Sequence, residues 1–450
     1  MNSTTTTITP PNATAGGSAA ASSYYRFKPW NVGRFVVWTL FAVALIVAPM
    51  LFRSSLALTM LSQIGYLIII CLSYNILLGQ GGMLSFGHAV YTGLGSFIAI
   101  HAMNMATKGS VNIPLVLIPL VGGLAGAFFA IILGFVTTKK SGTTFAMITL
   151  GIGELVASMA LMFPEFFGGE GGITTDRTYG KAFFGLNFGS GMQVYYLIAA
   201  YCFVCTAAMF AFTGTPLGRI LNAVRDNPER VEFIGYNTQR VRYFAFIIAG
   251  FFAGIGGGLA TINFEIITGA DSLSVIRSGG YLLFTFLGGA TFFFGPIIGA
   301  VLLVLASVLL SELSKAWLLY LGLVFLFMVM YAPGGIASLI MMNLRLAKYG
   351  KLRQLGSSYL GLAGTALVGV MGAACMIEMT YHLQLNAALG PELTFLGATL
   401  NAKGFASWFG AVFVMVTGFG LFELCRRQFL RQWGTIQEEI EHEIKRTEAL

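Results

Sequence analysis

Residues Thr213–Arg242 read TGTPLGRILNAVRDNPERVEFIGYNTQRVR, a polar stretch with long apolar segments on both sides. It holds Arg219, Arg225, Arg230, Arg240 and Arg242. Thr215-Pro216 predicts a helix start, a side-chain cap followed by a proline in the first turn. Leu217, Ile220, Leu221 and Val224 then recur at helical spacing. Asp226-Asn227-Pro228 ends that helix, because the residue before a proline avoids the right-handed helical region. A second short helix is expected over Glu229–Ile234, stopped by Gly235, a residue type that takes the left-handed closing position. Two short amphipathic helices between long spans fit an interfacial anchor or a docking surface for a soluble partner. An anchor has little need of two capped helices, which favours docking.

Outward from this stretch, the chain of 450 residues is 56% hydrophobic and 10% charged, with a mean hydropathy of +0.79. Such a composition belongs to multi-span membrane proteins. A spanning helix needs about 20 apolar residues. Runs of that kind fall at about 35–52, 56–78, 88–106, 113–136, 144–163 and 193–212 before the polar stretch. After it they fall at about 243–264, 279–289, 296–311, 316–332, 358–378 and 405–424. The expected fold class is all-α, a polytopic integral membrane helix bundle of about 10–12 spans. Residues 1–34, rich in Ser, Thr, Ala and Gly at their start, read as a disordered tail. The first apolar run begins too late for a signal peptide and reads as a retained span.

The net charge of +8 comes from 26 basic and 18 acidic residues. With the N-terminus inside, 19 of the 26 basic residues fall on cytoplasmic segments; outside lie Arg53, Lys108, Arg177, Lys181, Arg277, Lys315 and Lys403. That asymmetry satisfies the positive-inside rule and places Thr213–Arg242 in the cytoplasm. No basic patch is interleaved with aromatics, which argues against nucleic acid as a partner. The chain has no G-x-x-x-x-G-K-[ST] loop, so ATP hydrolysis is expected on a separate chain. Cys202 and Cys205 have C-x-x-C spacing without a second pair or a nearby histidine, and read as small packing residues rather than metal ligands. His88, His101, His382 and His442 are too scattered to build an enzyme site.

Leu78–His88, LGQGGMLSFGH, interrupts the second and third spans with four glycines. Irregular backbone at membrane depth is tolerated only where protein or a water-filled cavity satisfies it. The following helix is expected to bring Ser85, His88 and Thr92 onto one face, with its first amides free to meet a polar substrate group. Glycine-mediated helix packing is the other reading. Glu154 is an acid inside an apolar span, which marks a functional position, a protonated group or one held by a neighbouring hydroxyl. Leu287–Pro296, LGGATFFFGP, is a second interruption of the same orientation and suggests a parallel repeat. Gly168–Ile173, GGEGGI, reads as a flexible outer loop. Thr435-x-x-Glu438 reads as a capping box opening a helix with an Ile436, Ile440 and Ile444 stripe, which lies on a membrane, on a partner or in solvent.

Pro216-Leu-Gly-Arg219, Ala223-Val-Arg225-Asp-Asn227 and Gly235-Tyr236 resemble the coupling loop of the LivM/LivH-type branched-chain amino acid ABC transporter permease family. Tyr74–Gly79, Gly82–Ala89, Ser141–Leu150, Gly168–Ile173 and Tyr331–Ile336 resemble the same family in the same order. The chain departs from it in two places. The Glu-Ala-Ala triplet of the loop is absent, with Arg230-Val231-Glu232 near its position, and Phe292–Phe294 replaces a Gly-Gly-x-Gly-Thr form. The resemblance implies a LivM-like transmembrane domain over 35–345, an extension with about two extra spans over 346–431 and an amphipathic cytoplasmic tail over 432–450.

By the same resemblance, Pro216, Gly218, Arg219, Ala223, Arg225, Asn227, Glu232 and Gly235 form the cytoplasmic coupling loop to an ATPase. Asn75, Gln80, Ser85, His88, Thr92 and Glu154 line the translocation path. The implied partners are a LivH-like permease, two LivG/LivF-like ATPases carrying ATP and Mg, a periplasmic or external substrate-binding protein, and membrane lipid. The chain itself binds no cofactor and is not an enzyme. The implied location is the bacterial cytoplasmic (inner) membrane with both termini inside. The substrate is a branched-chain amino acid, urea, a short amide or an aromatic acid. The alternative is an ion- or proton-coupled secondary transporter using Glu154 and His88 as a relay, distinguished by dependence on the proton gradient rather than on ATP.

Overall fold

The computed structural model describes residues 32–179, 187–385, 390–395 and 398–448. The reading of 1–34 as a disordered tail falls outside them up to residue 31. Helix α1, Val32–Leu51, includes the last three residues of that segment and carries Pro49 in its final turn. Contacts divide the chain into a unit ending at Arg53 and a second unit, Ser54–Leu450.

In the second unit the Ser54 hydroxyl caps α2, Ser55–Asn75, by accepting from the Ala57 amide at 3.2 Å. The helix widens into a π turn over Ile76–Gln80 and then breaks. After the break come α3 (His88–Thr107), α4 (Ile118–Thr137), α5 (Gly142–Met162), the short α6 (Pro164–Phe167) and α7 (Gly191–Gly214). The polar stretch forms α8 (Pro216–Asp226) and α9 (Pro228–Phe233). Then follow α10 (Thr238–Phe264), α11 (Gly269–Ser272), α12 (Val275–Gly288), α13 (Gly295–Leu305), α14 (Ser311–Leu313), α15 (Trp317–Tyr331), α16 (Gly335–Lys348), α17 (Leu352–Leu385) and α18 (Phe405–Glu448). The strands among the described residues form two isolated antiparallel pairs, β1 (Ile173–Thr174) with β2 (Ile266–Ile267) and β3 (Glu392–Phe395) with β4 (Ala398–Asn401). The architecture is an all-α membrane bundle.

Seven of the described helices are long and apolar enough to cross a membrane, or eight if the pair α15 and α16, bent by 49°, is one span. The expected 10–12 included four further segments that are helical but fall short of that measure. α1 and α13 have short apolar stretches, and α12 has 14 residues. α3 is 20 residues long, but His88, Thr92, Ser96, His101 and Asn104 lower its hydropathy.

α10 is the centre of the unit and the most buried of the candidate spans among the described residues. It crosses α3 and α4 backbone to backbone. A Cβ on Gly254 would stand 2.2 Å from the Gly122 carbonyl oxygen, and one on Gly126 would stand 2.3 Å from the Gly250 oxygen. Small residues allow such close crossings where lipid gives helices no hydrophobic drive to associate.

The Gly168–Ile173 loop, read as a flexible segment, ends in the β1–β2 ribbon. Ile173 pairs with Ile267 and Thr174 with Ile266. Gly172 has φ +72°, and a Cβ there would meet the Ile267 carbonyl oxygen at 2.2 Å. The Arg177 amide donates to Glu265 Oε1 at 2.9 Å and anchors the ribbon. Beside it the Thr178 hydroxyl and amide both donate to Asp176, which holds that carboxyl below the usual range.

In the extension, α17 and α18 pair as a hairpin joined through β3 and β4. The expected capping box at Thr435 is absent. α18 is continuous there, and the Thr435 hydroxyl donates to the Arg431 carbonyl at 3.2 Å in mid-helix. Gly434 alone costs about 1 kcal/mol and does not stop a helix otherwise made of good formers. Ile436 and Ile440 are buried against Leu346 of α16 and Leu355 of α17, so this chain itself covers that part of the stripe; the Ile444 side chain lies outside the described residues. Further along α17, Glu378 accepts from the Tyr320 hydroxyl at 2.9 Å and from Ser314, which ties the hairpin to the preceding bundle.

Candidate functional site

The polar stretch folds as its sequence predicts, with both ends of the second helix one residue earlier than expected, at Pro228 and Phe233. The Thr215 hydroxyl accepts from the Gly218 amide at 3.2 Å and starts α8. Asn227 ends α8 and caps α9, accepting from the Arg230 amide at 3.0 Å. α9 starts one residue before the expected Glu229, at Pro228, and Gly235 closes the turn at φ +96°. Leu221, Val224 and Val231 are buried on the inner face, while Pro216, Arg219, Ala223 and Glu232 are exposed. Gly218 is needed for the tight turn from α7, since a Cβ there would stand 2.3 Å from the Phe212 carbonyl oxygen. Glu232 accepts from the Thr238 hydroxyl at 2.7 Å, which holds α9 to the start of α10. Phe233 is 90% exposed and Ile234 74%, an apolar tip that a motif reading based on arginines and glycines passes over.

Arg225 is partly exposed, with its side chain 34% accessible, yet its guanidinium bonds back onto the chain. Its Nη1 donates to the carbonyl oxygen of Gly79, and its Nε donates to Asp226 at 3.0 Å. Its stem lies against Gly82, where a Cβ would meet Arg225 Cγ at 2.8 Å. The carbonyls at a helix end lack intrahelical donors, and a guanidinium supplies a charge-assisted one. The polar stretch thus reaches back 146 residues to hold the break after α2.

The two breaks also meet each other. Asn75 Nδ2 donates to the Ala290 carbonyl at 2.6 Å, and a Cβ on Gly79 would stand 2.1 Å from that same oxygen. Gly289 turns the second break at φ +117°. Phe293 in that break lies 5.2 Å from Phe210 of α7, ring to ring.

Of the residues read as a path, Asn75, Gln80, Ser85, His88 and Thr92 are all buried at or above the first break. Ser85 precedes α3 rather than lying on it, so the expected helical i, i+3, i+7 face begins at His88. Tyr74 fixes Ser85 instead: its hydroxyl donates to the Ser85 carbonyl at 2.7 Å and accepts from the Ser85 amide at 3.2 Å. The Ser73 hydroxyl gives its proton to the Ile70 carbonyl at 2.7 Å. It must then accept from His88 Nε2 at 2.9 Å, which leaves Nδ1 of the neutral ring as an acceptor. His88 Nδ1 and Ser85 Oγ are buried with no hydrogen-bond partner among the described residues. Two amides at the start of α3 that were expected to meet a substrate are already used, Ala89 by the Ser278 hydroxyl at 2.9 Å and Val90 by the Gly87 carbonyl.

Glu154 stands apart. It is exposed on α5 beside the exposed Leu150 and Leu155, and makes no ion pair or hydrogen bond among the described residues. Ser96 was missed. It continues the His88 and Thr92 stripe one turn further, and i, i+4 spacing was the signal available.

Residues 56–333 match the model of the branched-chain amino acid transport system permease component. The chain is 27% identical over 336 residues, 68% of this chain and 76% of the relative, to the high-affinity branched-chain amino acid transport system permease protein LivM of Escherichia coli K12. It is 26% identical over 300 residues, 62% and 69% of the two chains, to LivM of Salmonella typhimurium. The ribose import permease protein RbsC of Haemophilus influenzae is 24% identical over 224 residues, 47% of this chain and 65% of the relative. No solved structure matches. The match runs from the start of α2 to the end of α15, taking in both breaks and the α8–α9 segment that holds them, and the chain belongs to the family of branched-chain amino acid transport system permease components.

Proposed function

We propose that this chain is the transmembrane permease subunit of an ATP-driven ABC importer for branched-chain amino acids or related small polar or amphipathic solutes. Solute crosses by alternating access, and separate ATPase chains bind ATP and Mg and hydrolyse the nucleotide. The observation that carries this reading is the Arg225 bond to the Gly79 carbonyl. α8 and α9 offer an exposed face with an apolar tip, Phe233-Ile234, of the size that fills a partner's groove. A displacement of α8 moves Arg225, which grips Gly79; Asn75, one helical turn earlier, grips Ala290. A push on the cytoplasmic face therefore reaches both breaks through two hydrogen bonds and the buried packing around them. The 19-to-7 charge split supports an orientation with both termini and α8–α9 inside. The assembly on this reading contains a LivH-like permease, two LivG/LivF-like ATPases and an external binding protein.

The test is reconstitution of the chain with those partners in proteoliposomes. ATP inside and binding protein outside should together drive uptake of labelled leucine. Uptake driven by a proton gradient without ATP would overturn the reading.

A further inference from the structure

α2, α3, α10 and α12 enclose a cavity of about 240 Å³ at the end of the bundle covered by β2. Its floor is polar and buried: Thr92 and Ser96 of α3, with the Tyr66 and Tyr281 hydroxyls. Its walls are apolar, from Ile70, Phe264 and Ile267. At its mouth Arg277 and Asp271 form an ion pair held in place locally, because Ser274 accepts from the Arg277 amide and donates to the Asp271 carbonyl. From the floor, the stripe of Ser96, Thr92 and His88 descends α3 to the break, where His88 Nδ1 and Ser85 Oγ have no hydrogen-bond partner among the described residues.

We infer that this cavity is an outer solute subsite that binds an α-amino acid as its zwitterion, a step that rests on the permease reading above. The carboxylate meets Arg277, the ammonium meets Asp271, and the side chain lies against Ile70, Phe264 and Ile267. The charges select the class. A zwitterion separates the Arg277–Asp271 pair and returns one opposite charge to each partner. An aromatic acid brings only an anion and returns nothing to Asp271, which is 64% exposed, so it gains one ion pair where the zwitterion gains two. Urea and short amides return no charge at all. Size agrees: a water occupies roughly 30 Å³, so the cavity holds about eight waters or a solute of about that many heavy atoms. The hydroxyls on the stripe below provide the next polar contacts on the way to the break.

The experiment uses the full complex in proteoliposomes, with binding protein and labelled leucine. Asp271→Asn and Arg277→Gln should each lower uptake at least about tenfold while the ATPase chains still co-purify. The double exchange Asp271→Arg with Arg277→Asp restores an ion pair and should not restore uptake. Ala260→Cys, on the cavity wall, should assemble normally and lose uptake only after a bulky thiol reagent is added from outside; unsubstituted protein is the control. Recovery in the double exchange, or uptake within about twofold of wild type in the single variants or in the blocked cysteine protein, overturns the subsite. If the wild-type complex takes up no amino acid with ATP, the permease reading falls, and the subsite with it.

Discussion

At the scale of single residues, Arg225 carries the most consequence. It looked like a charge for a partner to meet, since it lies on an amphipathic helix among four other arginines. The side chain, still partly exposed, folds back because a broken helix leaves a carbonyl at Gly79 that needs a donor. Loss of a hydrogen bond made by a charged group costs about 1.5–3 kcal/mol. Arg225→Ala is therefore expected to lower ATP-dependent uptake at least about tenfold while the ATPase chains still co-purify; loss of the ATPases would return Arg225 to the docking face. Gly235 behaves differently. A Cβ there meets nothing within 4 Å, so a substitution suffers only from φ +96°. Gly235→Val should cost about 1–2 kcal/mol in the turn, leave the chain in the membrane and weaken ATPase retention. Gly235→Asn should fall in between, because asparagine tolerates the left-handed region. Pull-down of the ATPases from membranes expressing each variant reads this order.

At the scale of elements, what the sequence made legible follows from how local the signal is. Caps, prolines and periodicity located α8 and α9 to within a residue, since Thr215, Asn227 and Gly235 act on their own neighbours. The two breaks were legible from their glycines. Their contact through Asn75 and Ala290 was not, because 215 residues separate the partners and no periodicity links them. The same limit hid the destination of the Ile436 and Ile440 stripe, which needed Leu346 and Leu355 to be placed first. The capping-box reading failed for a related reason: the same Thr and Glu spacing occurs inside a continuous helix, where the hydroxyl bonds back to Arg431. The hairpin of α17 and α18 lies beyond the family match, which ends at residue 333. Truncation after Gly350 should leave α2–α16 inserted and able to retain the ATPases, as membrane extraction and co-purification would report. Failure to insert would make the Glu378 contacts with Ser314 and Tyr320 part of the folding core.

At the scale of the whole molecule, the proposed role of α8 and α9 depends on orientation. Cysteines at the exposed positions Arg219 and Glu170 should label from inside and outside respectively; outside labelling at Arg219 would place α8 and α9 beyond the reach of any ATPase. The crossing of α10 with α3 and α4 has a further consequence, in how fast the backbone opens. Helices that touch carbonyl to α-carbon, as at Gly122 and Gly254, have no side chains to slide over one another. Opening any one of them means separating all three, so they must open as one cooperative unit. Amide deuterium should enter α10 last, on the timescale of global unfolding. It should enter the α17–α18 hairpin and the α8–α9 segment earlier. Gly254→Val, which forces a side chain onto the Gly122 oxygen, should lower that protection roughly 5- to 150-fold across all three helices together and lower the melting temperature by several degrees, for overpacking of about 1–3 kcal/mol. A transporter built this way keeps a slow-exchanging spine and confines its working motion to whatever hangs from it.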